Sequence, residues 1–188
     1  MAATAPAAPA TAPALPAKAR IGVTFVAYKE WENSTSGVHR YLKALLRELP
    51  ALGVQAKPVP LHHRAVKVLG REFGGLLTLE VARRIPTPGV DLIHAIEPFV
   101  RKRGTHVQTV HDITEFKYPD LFGVDREKLA REQEIVRAAI DEARVVVTDT
   151  AHVKQDLLKW HPPLKASHVI PVHLGVDTEH WRPAPPQA

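Results

Sequence analysis

The sequence predicts one α/β domain built on a Rossmann-like, doubly wound, mostly parallel sheet. Three observations predict it. Near-continuous apolar and β-branched runs such as Ile21 to Tyr28 (IGVTFVAY) and Arg144 to Thr148 (RVVVT) read as strands buried on both faces. These runs alternate with segments whose apolar residues recur every three or four positions, the mark of helices packed on a sheet. The length, 188 residues, is about what one hydrophobic core requires.

The elements follow in order. After the first strand and a polar loop, Lys29 to Ser36, the residues Val38, Tyr41, Leu42, Leu45, Leu46 and Leu49 line one face of an amphipathic helix, closed by Pro50 and Gly53. Val54 to Leu61 is extended. Pro58 and Pro60 cannot donate to a ladder, which predicts an outer strand. Arg64 to Ile85 has helical character, but Gly70, Gly74 and Gly75 each cost about 1 kcal/mol in a helix interior, so a broken helix is expected. Asp91 to Ala95 and His106 to Val110 are the next strands, separated by a loop carrying Arg101, Lys102 and Arg103. Arg126 to Ala143 is a helix with Leu129, Val136, Ala139 and Ile140 on one face. The strand Arg144 to Thr148, a helix from about His152 to Trp160 and a last strand from His168 to Leu174 complete the pattern.

The ends differ in composition. Residues 1–19 are almost entirely Ala, Pro and Thr, too poor in apolar side chains to offset the entropy of ordering, and read as a disordered tail. The tail has neither the charged start and apolar run of a signal peptide nor the Arg-rich amphipathy of a presequence. Residues 184–188 read as a flexible end, leaving 20–183 as the folded domain. With no cysteine, disulfides, thiolate metal sites and a thiol nucleophile are excluded, and a cytoplasmic setting is expected. The net charge of +5 permits contact with anions without choosing among them. The Arg101 to Arg103 cluster lacks the interleaved aromatics of a nucleic-acid surface, so no nucleic-acid partner is expected. His62 and His63 are adjacent, and no HExxH spacing occurs, so neither a metal nor any other cofactor is expected.

In open parallel sheets ligands bind beyond the carboxyl ends of the strands. Four loops lie there. Asn33 to Val38 offers hydroxyl caps at Ser36, room at Gly37 and the free N–H groups of a helix start, which favour anions. The three-glycine dinucleotide fingerprint and the GK[ST] loop are both absent, which disfavours nicotinamide cofactors and Walker-type nucleotide binding. His111-Asp112 follows a strand directly: the imidazole suits a sugar hydroxyl or general-base work, and the carboxylate suits substrate contact or support of the loop. Thr150 is the expected N-cap of the following helix. Gly175, in the turn Leu174 to Asp177, is expected in a conformation other residues resist.

Together these pieces resemble the N-terminal domain of GT-B glycosyltransferases of the family 4 kind. The resemblance rests on Ser36-Gly37-Val38-His39-Arg40-Tyr41, on Asp91 to Ala95, on Val110-His111-Asp112-Ile113 with Pro119, and on Val169-Ile170-Pro171 to Gly175-Val176-Asp177 with Trp181 and Pro183. Ser36 stands where a second glycine is common, and Thr150 where a serine is. The resemblance implies half of a GT-B fold, the acceptor-side half of an enzyme that moves a sugar from a nucleotide-sugar donor with retention. His111 would be the catalytic contact to the donor sugar, and Ser36, Gly37, Asp112 and Thr150 would bind substrate. It also implies a donor-binding C-terminal domain as partner, expected on a separate chain, an acceptor of unknown identity, and negligible turnover without that partner. Lipid-linked acceptors are common in this family, which adds the inner membrane face to the expected locations. The rival expectation is a non-catalytic module that keeps the half-fold to bind a ligand or partner.

Overall fold

The computed structural model describes residues 19–27, 31–62, 89–98, 106–123, 125–177 and 181. The expected tail through residue 18, the expected broken helix Arg64 to Ile85, the basic cluster Arg101 to Arg103, His63 and the end from Arg182 onward lie outside the described residues.

Among the described residues six parallel strands form one sheet. They are β1 (Arg20–Ala27), β2 (Gln55–His62), β3 (Leu92–Ala95), β4 (His106–Val110), β5 (Val145–Thr148) and β6 (Val169–Pro171), in the spatial order β2-β1-β3-β4-β5-β6. The α/β doubly wound architecture expected from the sequence is therefore present. β2 is an outer strand, as its prolines require: two prolines spaced two apart put both missing donors on the same edge.

Register assigns the two faces of the sheet. Val23, His94, Val107 and Val145 share one row, while Thr24, Ala95, Gln108, Val146 and Val169 share the next and point the other way. The first face is covered by α1 (Gly37–Glu48), where Leu42, fully buried, packs with Val23 and Ile96. The second is covered by α4 (Arg126–Glu142) and α5 (Ala151–Trp160), with Val110, Ile140, Val146, Leu157 and Val169 in one cluster. The four residues of α4 expected on its buried face are the four that are buried. Burying one such Leu or Ile side chain contributes about 1.5–3 kcal/mol, so the two clusters dominate the attachment of the helices.

Local signals act as expected at the ends of α1. Ser36 Oγ accepts from the His39 N–H at 3.3 Å, and α1 runs on into a 3-10 turn, Leu49–Leu52, that ends at Gly53, whose φ of +76° is left-handed. Gly22 has a different reason to be glycine: a Cβ there would lie 3.0 Å from Val59 Cγ2 and 3.1 Å from Val90 Cγ1.

Three features differ from the sequence reading. Two short helices, α2 (Thr114–Lys117) and α3 (Pro119–Phe122), fill the β4–α4 connection. β6 ends at Pro171 rather than Leu174: only Val172 N–H continues the ladder, to Thr148 O at 2.8 Å, and His173 and Leu174 are exposed. Gly175 is not in the left-handed region, and a Cβ there would meet nothing within 4 Å, so the turn does not depend on glycine.

Candidate functional site

The strand order changes direction between β1 and β3: the chain leaves β1 toward β2 and returns on the other side. Crevices at such switch points, beyond the carboxyl ends of the strands, are the usual ligand sites of open α/β sheets. Here that edge carries the start of α1, Ile96-Glu97-Pro98 after β3, His111-Asp112 after β4, and Asp149-Thr150 after β5.

His111 is the centre of this edge. Its Nδ1 lies 2.9 Å from Asp149 Oδ2, joining the loops after β4 and β5 through side chains that are about one-fifth exposed. A carboxylate on one ring nitrogen fixes which nitrogen carries the proton, so Nδ1–H donates to Asp149 and Nε2 is left as an acceptor. That Nε2 is buried and has no hydrogen-bond partner among the described residues. An unsatisfied buried polar atom costs about 1–3 kcal/mol.

Tyr41 of α1 meets the His111 ring edge-to-face at 5.2 Å and lies 6.2 Å from the His94 ring. Burial raises the Tyr41 phenol above its usual value, a hydrogen bond with Thr109 opposes this, and the charge of Asp149 adds to the rise. On β3, His94 Nε2 is 2.7 Å from Thr109 Oγ1. Burial, followed by the proximity of His111, pushes His94 down to about 4, so it is neutral at ordinary pH. Two imidazoles, a phenol, a hydroxyl and a carboxylate thus form one inward-facing polar cluster behind the loop edge.

Beside His111 opens a cavity of about 210 Å³. Val38, Ile96, Val110, Phe116, Val136 and Ile140 form its apolar walls, and His111, Asp112, Glu97, Gln108 and Thr109 are its polar lining residues. No lysine or arginine lines it among the described residues. A second cavity of similar volume lies between α2 and α5, lined in part by Asp112, and there Lys117 Nζ is 2.7 Å from Asp156 Oδ2, with His152 Nε2 3.4 Å from the same oxygen.

The residues expected from the sequence to bind substrate divide into two groups. His111 and Asp112 line the first cavity together with Val38, the neighbour of Gly37. A Cβ on Gly37 would meet nothing within 4 Å, so the helix start is open. Ser36 Oγ is occupied by His39, through its backbone N–H and through Nδ1 at 2.9 Å. Thr150 Oγ1 accepts from Val153 N–H at 3.1 Å, the N-cap role, and does not line the cavity. Asp112 Oδ1 accepts from Thr114 N–H at 2.8 Å and so holds its own loop while facing the cavity.

Asp149, Tyr41 and His94 were not expected as site residues. Among the described residues no group of three or more His, Asp or Glu side chains could hold a metal ion, and no helix is long and apolar enough to cross a membrane. No protein-family model and no curated protein sequence matches the chain.

Proposed function

We propose that this domain is the acceptor-side half of a glycosyltransferase, transferring a sugar from a nucleotide-sugar donor to an acceptor hydroxyl, with retention as the sequence resemblance implies. A second, donor-binding domain grips the nucleotide. The observation that carries the reading is the chemistry of the cavity beside His111. At about 210 Å³ it falls below the roughly 300–1,000 Å³ of pockets that enclose drug-sized ligands, so a nucleoside diphosphate does not fit. The Asp112 carboxylate, which faces the cavity, disfavours a diphosphate there by like-charge repulsion. What suits such a cavity is a neutral hydroxyl compound, and what suits its edge is a sugar.

In this reading His111, which lines the cavity, is the catalytic residue that contacts the donor sugar, and Asp149 is the positioning residue that holds its ring. Asp112 shapes the loop from which His111 projects. Transfer depends on groups of both domains being held around one anomeric carbon, so the isolated domain turns over negligibly.

Saturation-transfer NMR on the isolated domain with nucleotide sugars tests the division of labour. The sugar-ring protons should receive saturation, and the base protons much less. Strong saturation of the base with none on the sugar would assign this domain to the donor side and overturn the proposal.

A further inference from the structure

The same cavity carries information about the acceptor, and the inference here rests on the acceptor-side reading. Its walls come from separate elements: Val38 from α1, Ile96 from the loop after β3, Val110 from β4, Phe116 from α2, and Val136 and Ile140 from α4. A pocket for a polyhydroxylated sugar would present hydrogen-bonding groups along its walls. This one has five polar lining residues, His111, Asp112, Glu97, Gln108 and Thr109, of which the last two are engaged within the protein, Gln108 Nε2 with the carbonyl oxygens of Ala95, Glu97 and Thr109 and Thr109 Oγ1 with His94 Nε2, and the rest of its lining is apolar. Apolar cavities of about 150 Å³ stay dry and take up a single benzene ring, so about 210 Å³ accommodates a ring bearing a short polar arm. Phe116 stiffens the wall, its ring stacked on Trp160 at 5.1 Å.

We propose that the acceptor carries a compact apolar ring that inserts between α4 and the carboxyl ends of β3 and β4, leaving its hydroxyl at the His111–Asp112 edge. The acceptor class is thus a hydroxylated aromatic or alicyclic compound rather than a free sugar or polyol. The ring supplies binding through burial, and the hydroxyl is presented to the transferring sugar.

The test uses the full chain with methyl-labelled Ile and Val residues and 4-fluorobenzyl alcohol as probe, with glycerol and methyl glucoside as polyol controls. The expected result is saturable shifts of the Ile96, Val110, Val136 and Ile140 methyls with the fluorinated alcohol and none with the polyols. Val38→Phe, at the half-buried edge of the cavity, and Ala139→Leu, at its floor, should each abolish those shifts. If one variant fails to fold, the other and the wild-type titration still decide. Shifts absent up to the solubility limit of the probe, shifts confined to other methyls, or equal shifts with polyols overturn the inference. Cavity shifts with the ring compound but no sugar transfer in a reconstituted enzyme would leave the ring site standing and remove the glycosyltransferase reading. Transfer to polyols alone would do the reverse.

Discussion

His94 offers a prediction whose size follows from its surroundings. It sits on β3 between Val23 of β1 and Val107 of β4, bonded to Thr109 Oγ1, with Tyr41 of α1 across its ring and His111 close enough to disfavour a second positive charge. Burial first, and His111 second, lower it from 6.5 to about 4. The folded state therefore binds fewer protons than the unfolded chain between those values, and stability falls as the pH drops through that window. The contribution is complete above about pH 6.5, declines from there to about pH 4 and changes no further below. At ~1.4 kcal/mol per pH unit the whole window corresponds to about 3 kcal/mol. Urea unfolding of the wild type and of His94→Gln at pH 7, 6, 5 and 4 measures it, because the other titrating groups cancel in the difference. The wild type should lose about 3 kcal/mol more than the variant between pH 7 and pH 4. Parallel curves for the two proteins would refute the burial argument.

Four further outcomes are expected. Asp149→Asn should free the His111 ring to take either neutral tautomer, seen as a change in its nitrogen chemical shifts, while the wild type shows the Nδ1–H form alone; an unchanged spectrum would remove Asp149 as the positioning group. Thr150→Ala should cost about 1 kcal/mol in urea unfolding through loss of the α5 cap and leave binding of 4-fluorobenzyl alcohol unchanged, whereas a substrate-binding Thr150 would alter both. Gly22→Ala should destabilise by about 1–3 kcal/mol, because the new Cβ presses on Val59, Val90 and Ile93, and a neutral result would show that these side chains yield freely. Leu157→Ala, which empties the centre of the α5 contact, should cost about 2–5 kcal/mol by the same assay; a loss under 1 kcal/mol would mean the cluster collapses around the gap.

Much of the fold is legible in the sequence because it is written locally. β4 occupies the expected residues, and the buried residues of α4 are Leu129, Val136, Ala139 and Ile140, since burial against a sheet imposes an apolar period on a helix. The short helices TEFK and PDLF escape notice because four residues complete barely one turn and carry no period. The extent of β6 is overestimated because an apolar alternation continues through Val172, Leu174 and Val176, whose side chains are in fact half or more exposed.

The site is legible only in part, for a related reason. His111 and Asp112 are marked by their place after a strand. Asp149, 38 residues further along, also follows a strand directly, but nothing pairs it with His111 until the sheet sets β4 and β5 side by side. Tyr41 reads as one apolar position of a helix face and His94 as one position of a strand. Their shared role appears only when α1 lies over β3 and β4.

The most direct test of the central claim is transfer of a radiolabelled sugar from a panel of nucleotide sugars to hydroxylated ring acceptors, by the domain alone and by the domain reconstituted with a donor-binding domain. The account predicts negligible transfer alone, transfer by the pair, and a loss of about a hundredfold or more in the pair carrying His111→Ala. Robust transfer by the isolated domain, or a His111→Ala pair as active as the wild type, would contradict it.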